Sequence, residues 1–186
     1  MTDAPAPKRA VRAAFDKAAD AYDAVAAVQR SACDRLLALV SAQALQPRRI
    51  VDAGCGTGYA LAGLHRRFPE ANLIALDFAP AMLRRHAPGL ALPLCADLER
   101  LPLADASIDA LWSSYALQWC HPRKALPELA RSLRPGGQLW IATLGPGTLH
   151  ELRDAFRLTQ RKYGDGMAPS GWWTPTSTCC PSSPRK

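Results

Sequence analysis

The sequence predicts an α/β domain whose mostly parallel sheet is covered by helices on both faces. Three observations predict it. Short apolar strands alternate with helical segments of about ten residues, a glycine-rich turn joins one strand to the next helix, and successive strands end in Asp. A chain of 186 residues suits one domain with one substantial core. It is 48% hydrophobic and 21% charged, which excludes a disordered or fibrous class. No run of about eighteen apolar residues occurs, so a membrane-spanning helix is not expected. Met1–Ala10 carries Lys8 and Arg9 with no apolar run behind them; no secretory signal is expected, and the predicted compartment is cytoplasmic.

The elements follow in order. Residues 1–10 are expected to lack order, and residues 11–158 to form the domain. Val11, Phe15, Ala18, Ala19, Tyr22, Val25 and Ala26 make one apolar stripe at three- and four-residue spacing, a first helix. Ser31–Ala44 continues as a second, and Pro47 ends this helical cover of residues 11–46. Arg49–Ala53 is then a strand, Tyr59–Phe68 a helix and Asn72–Leu76 a second strand ending at Asp77. Pro80 suits the first position of a helix. Leu90–Cys95 is a weaker strand ending at Asp97, and Ile108–Trp112 a fourth. A helix from Pro122 to Leu133 and a turn at Gly136–Gly137 lead into a fifth strand, Gln138–Leu144.

Charge and cysteines narrow the chemistry. The formal charge is +7, yet residues 1–150 hold 17 basic and 13 acidic side chains, a mild excess. With no basic–aromatic interleaving, nucleic acid is not expected as a partner, and an acidic protein or anionic substrate is favoured. Cys33, Cys55, Cys95 and Cys120 stand singly in or beside regular elements, as reduced thiols do, and no paired spacing of zinc ligands occurs, so no metal is expected.

The strongest motif is Val51-Asp52-Ala53-Gly54-Cys55-Gly56-Thr57-Gly58 between the first strand and its helix. Gly54 permits the tight turn, Gly56 lets a ligand approach the backbone, and free N–H groups of the next helix are expected to face the site. Asp77 follows Gly58 by 19 residues, where an acid accepts both ribose hydroxyls. Tyr59 stands where a dinucleotide pattern needs glycine, and no Lys-Ser/Thr pair of a phosphate loop is present. Asp52 beside the turn would repel phosphates but tolerate a sulfonium and an amino group. S-adenosylmethionine is therefore the expected cofactor. Asp97 is expected to accept from the adenine amino group, with Leu98 covering the ring.

With these residues stand Asp77-Phe78-Ala79-Pro80-Ala81-Met82-Leu83, Asp97 to Leu103 with its Leu-Pro-Leu end, and Leu133-Arg134-Pro135-Gly136-Gly137. From Val51 to Leu144 the chain resembles the Rossmann-like class I S-adenosylmethionine-dependent methyltransferases. Three segments resemble one subfamily, the malonyl-[acyl-carrier protein] O-methyltransferases of biotin synthesis. They are Val11–Leu37 with Tyr22-Asp23 and Gln29-Arg30, Ser114–Cys120, and Thr143–Leu149; similarity covers residues 11–157.

The resemblance implies methyl transfer from S-adenosylmethionine to the free carboxylate of a malonyl thioester on an acidic acyl-carrier protein. It places Asp52, Gly54, Cys55, Gly56 and Gly58 at the methionine end of the cofactor, Asp77 at the ribose, Asp97 and Leu98 at the adenine, and Phe78 among the cofactor-binding residues. Tyr22 and Gln29 would close over the cofactor, and Trp119 would lie near the transferred methyl. The residues alone fit equally a stripe position for Tyr22, a solvated one for Gln29 and core for Trp119. Arg123, Lys124, Arg131 and Arg134 are candidates for docking the carrier. Another small acid, a quinone or RNA as acceptor, or an inactive family member, also stays open.

The chain departs from the family after Phe156. No Val, Leu or Ile occurs beyond Leu158, and the last twenty residues hold four prolines, four serines and three threonines. The hairpin of strands six and seven is expected to be missing, with 159–186 a low-order, truncated or out-of-frame tail. The fifth strand, with Trp140 and Ile141, would then be a bare edge.

Overall fold

The computed structural model describes residues 8–42 and 44–145, with 147–148, 150–151 and 154. The expectation for the tail at 159–186 lies outside these residues. Residues Pro7–Thr143 form one compact unit, and residues from Leu144 onward belong to another. In the second unit Thr148 Oγ1 accepts the Gly145 N–H at 3.0 Å, closing a short turn.

Five strands run parallel in the order β3-β2-β1-β4-β5: β1 Arg49–Ala53, β2 Asn72–Asp77, β3 Leu92–Cys95, β4 Ile108–Ser114 and β5 Leu133–Ala142. The central strands β1 and β4 are buried almost throughout, as parallel strands covered on both faces must be. Their side chains alternate between two cores. Ile50, Ala110 and Trp112 pack with Leu61, Leu64 and Phe68 on one face. Val51, Leu111 and Ile108 pack with Leu98, Ala125 and Leu129 on the other. The chain moves outward from β1 to β3 and returns at β4, so the sheet order reverses between β1 and β4. A crevice at the carboxyl ends of those strands is the consequence.

The helices are α1 Lys8–Ala18, α2 Tyr22–Val25, α3 Ala27–Ser41, α4 Leu61–Arg67, α5 Pro80–Leu83 and α6 Pro122–Ser132, with a 3₁₀ turn at Leu117–Trp119. Several boundaries differ from the sequence expectation. Helix α1 starts at Lys8, and the expected continuous stripe breaks after Ala18, leaving Tyr22 on its own helical turn. Tertiary anchors account for the break. Asp16 accepts the Ala81 N–H at 2.9 Å, and Asp23 accepts from Thr57 Oγ1 at 2.7 Å, which pins the two sides of the joint to different loops. The helix after the glycine turn begins only at Leu61, and β3 only at Leu92. Strand β5 starts at Leu133; its pairing with β4 jumps from Leu133 to Gln138 across the Gly136–Gly137 turn.

Among the described residues β5 is an edge of the sheet, as expected, yet Trp140 on it is buried. Its ring stacks on Phe68 with centroids 5.6 Å apart and meets Trp112 edge-on at 6.5 Å. Burial of this kind stabilises by about 2 kcal/mol per large side chain.

Candidate functional site

A cleft of about 960 Å³, its open mouth included, lies at the carboxyl ends of β1, β2 and β4 under the cap made by α1, α2 and α3. Of the residues expected at a site, Tyr22, Gln29, Trp119, Asp52, Gly54 and Cys55 line it, as do Gly56, Asp77, Phe78, Asp97 and Leu98. Gly58 does not. A Cβ there would stand 2.6 Å from His86 Cβ and 2.8 Å from Leu61 Cδ1, so with φ +85° Gly58 is a packing glycine under the turn.

The turn is held from within. The Gly54 and Cys55 N–H groups both donate to the Leu76 carbonyl, at 2.8 and 2.9 Å, and Gly58 N–H donates to Cys55 O at 2.9 Å. Gly56 N–H donates to Asp77 Oδ2 at 2.9 Å. These groups, expected to face a ligand, are satisfied by the protein itself. That leaves fewer donors in the turn for a pyrophosphate. Tyr59, expected to crowd a dinucleotide, turns its hydroxyl to donate to Asp34 on α3 at 3.1 Å.

Two carboxylates stand at the floor. Asp77 also accepts the Ala79 N–H at 2.8 Å, so each of its oxygens holds a backbone donor. Burial nonetheless raises its pKa. Asp52 is fully enclosed, and its Oδ2 has no hydrogen-bond partner. Burial first, then the neighbouring Asp77, pushes its pKa up to about 8. A buried carboxyl with an unsatisfied acceptor is costly unless a ligand's donor or cation meets it.

The roof is aromatic. Phe15, which the sequence placed only in a helix stripe, meets Trp119 edge-on at 5.4 Å, Phe78 at 6.1 Å and Tyr22 at 6.3 Å. It lines the cleft and joins α1 to the loops after β2 and β4. Nothing in the stripe's spacing separates a ring packed on the sheet from one packed on the loops. Tyr22 Cε1 lies 4.0 Å from where a Gly56 Cβ would be, so its ring overhangs the turn. Burial, with Asp77 and Asp23 nearby, raises the Tyr22 pKa, which keeps its hydroxyl protonated.

At the far wall Asp97 is already engaged. It accepts the Lys8 ammonium and, at 2.9 Å, the Glu99 N–H; Lys8 also reaches Glu99 at 3.0 Å. Nothing along the chain announces the Lys8 contact, which spans 89 positions. Burial opposes the charge on Lys8, but the two acids outweigh it and its pKa rises. Leu98, 6% exposed, packs beside Gly54. Tyr115 follows β4 with φ +56°, a backbone strain found at the cleft wall.

The basic residues expected to dock a partner are largely tied. Arg131 pairs with Glu128 and Asp105 and donates to the carbonyls of Leu101 and Leu103; Arg134 pairs with Asp109 at 2.8 Å. Both brace the fold. Lys124 lies 3.9 Å from Glu99.

A family model described as "Methyltransferase domain" matches residues 51–141, from β1 to β5. This chain carries a methyltransferase domain. It resembles, within the class I S-adenosylmethionine-dependent methyltransferases, the malonyl-[acyl-carrier protein] O-methyltransferases. The protein of that name from Dechloromonas aromatica (strain RCB) is 51% identical over 152 residues, 80% of this chain and 56% of the relative. The biotin biosynthesis bifunctional protein BioHC of Cellvibrio japonicus is 45% identical over 81% of this chain and 30% of its own length. Among solved structures, the complex of the Haloferax volcanii Trm112 methyltransferase activator with a methyltransferase matches with TM-score 0.65 and 26% identity, over 76% of this chain and 66% of that one. The chain spans from about half to just under two thirds of the length of the malonyl-[acyl-carrier protein] O-methyltransferases it matches. Among the described residues no helix is long and apolar enough to cross a membrane.

Proposed function

We propose that this protein transfers a methyl group from S-adenosylmethionine to the free carboxylate of malonyl-[acyl-carrier protein], in the cytoplasm, giving the methyl ester that primes biotin synthesis. The observation that carries the cofactor half is the buried, unpartnered Asp52 oxygen beside a glycine turn whose Gly54, Cys55, Gly56 and Gly58 N–H groups bond within the protein. Such a floor suits a cationic nucleoside without phosphates. The acceptor rests on the name of the relative at 51% identity, and the link to biotin synthesis on that of the bifunctional relative at 45%.

The residues present fit that cofactor. Asp77 would hold the ribose, Leu98 and Phe78 would flank the base, and Asp52 with Gly54, Cys55 and Gly56 would face the methionine end. Held there, S-adenosylmethionine would supply an electrophilic methyl carried on a sulfonium. The protein needs no general base, because a malonyl carboxylate is ionised at neutral pH. Its work is alignment and the exclusion of water, for which Phe15, Tyr22 and Trp119 roof the cleft and Gln29 stands at its rim.

The test is transfer of labelled methyl to malonyl carrier protein. Base-labile label on the carrier is expected. Label found on a free small acid but never on the carrier would contradict the acceptor, and absence of cofactor binding would contradict the whole reading.

A further inference from the structure

A carrier protein presents its thioester to the cleft from outside, so the surface that holds it must adjoin the mouth. Parallel strands sort the basic residues accordingly. Helix α6 follows the carboxyl end of β4, on the cleft side, whereas Arg49 at the start of β1 and Arg66 in the last turn of α4 stand at the opposite ends of the strands. The turn Leu117–Trp119 leads from the cleft into α6, and Trp119 lines the cleft while 44% exposed. Here Glu99 is a hub. It takes the Lys8 ammonium at 3.0 Å from the start of α1, and the His121 N–H at 2.6 Å and Lys124 at 3.9 Å from the start of α6. The starts of the two helices therefore converge. Arg9 and Arg123 stand next to these lysines, both exposed, and neither makes an ion pair or hydrogen bond among the described residues. Asp97 and Glu99 offset only part of the charge of Lys8, Arg9, Arg123 and Lys124, so the corner keeps a positive excess. Leu126, also exposed, follows one turn along α6 from Arg123.

We propose that the converging starts of α1 and α6 form the surface on which the acidic acyl-carrier protein docks, with Arg9, Arg123 and Lys124 as its cations and Trp119 and Leu126 as its apolar contacts. The inference rests on the acceptor reading above. Charge complementarity argues for this occupant. An exposed guanidinium with no internal partner has no ion pair to give up when a carboxylate arrives, and its fork binds both oxygens. The positive excess steers an acidic partner to the cleft side of the molecule, and the apolar pair gives the encounter a contact that water does not screen. Arg131 and Arg134 offer no such surface, because Glu128, Asp105 and Asp109 already hold them. Glu99 anchors both helix starts at one point, so the cations are preorganised before the carrier arrives.

The experiment measures binding of malonyl carrier protein, over a range of salt, to the full 186-residue chain saturated with S-adenosylhomocysteine. It compares the unsubstituted protein, the double variant Arg9→Glu with Arg123→Glu, the double variant Arg9→Lys with Arg123→Lys, and Arg66→Glu. The unsubstituted protein is expected to bind, and to bind more weakly as salt rises. The double Glu variant should lose roughly tenfold in carrier affinity or more at low salt, with the gap narrowing in high salt. Its affinity for S-adenosylhomocysteine should stay within about twofold, and the double Lys variant should keep carrier affinity to within about threefold. Arg66→Glu, the same change of charge at the far end of the strands, should shift carrier affinity by less than about twofold. Unchanged carrier binding in the double Glu variant, or an equal loss in Arg66→Glu, would overturn this surface and leave the acceptor standing. Loss of S-adenosylhomocysteine binding in the double Glu variant would tie these arginines to the cofactor site and overturn the proposal. Failure of the unsubstituted protein to bind the carrier at any salt would overturn the acceptor reading itself.

Discussion

In the glycine turn, Gly54 and Cys55 share the Leu76 carbonyl, Gly56 reaches Asp77, and a Cβ on Gly54 would fall 2.2 Å from Ala116 Cβ. Across the cleft, the cap of α1, α2 and α3 is held by side chains: Phe15 among three rings, Asp16 on Ala81, Asp23 on Thr57 and Lys8 on Asp97. One wall is locked by backbone wiring and the other rests on separable contacts. The difference teaches that the turn should fail as a unit, whereas the cap should loosen contact by contact.

Four substitutions break or sharpen that contrast, in falling order of effect. Gly54→Val combines the overlap with Ala116 and φ +83°, and should cost about 3 kcal/mol or more, seen as loss of a cooperative thermal transition and of cofactor binding together. Asp77→Asn leaves one backbone donor facing an amide N–H; it should cost about 2 kcal/mol of stability and weaken S-adenosylhomocysteine binding by roughly 30-fold in calorimetry. Phe15→Leu should lower stability by about 1 kcal/mol, yet reduce methyl transfer far more than S-adenosylhomocysteine affinity, because Tyr22 and Trp119 lose a shared neighbour. Equal losses in both would show that the ring serves packing alone. Lys8→Met removes a half-exposed ion pair and should shift stability by less than about 1 kcal/mol, less still in high salt.

The same contrast governs how much was legible in the sequence. Strand, glycine turn, helix and acidic strand end are local and fall where Val51–Gly58 and Asp77 placed them, since a positive φ at Gly54 and Gly56 leaves a turn little choice. The wiring was not legible. Nothing in Gly54-Cys55-Gly56 announces that its N–H groups turn inward to Leu76 and Asp77, nor that Gly58 serves His86 and Leu61. The cap was harder. An apolar stripe fits one continuous helix, and the break before Tyr22 follows from partners in loops far along the chain. Lys8 became a site residue only once the fold set it beside Asp97 and Glu99.

The central claim is that Asp52 gives the cleft its appetite for a cation, and pH tests it most directly. In the free protein its raised pKa keeps the carboxyl largely protonated below about 8. For this group, stability falls as pH climbs from the ordinary carboxylate range toward 8, and binding a cation must expel the proton. Calorimetric titration with S-adenosylmethionine in buffers of different ionisation enthalpy is therefore expected to show proton release at pH 6 and 7 that fades above pH 8, with affinity rising over the same interval. Asp52→Asn should abolish that release. Binding with no released proton and no pH dependence, or no binding at all, would contradict the account.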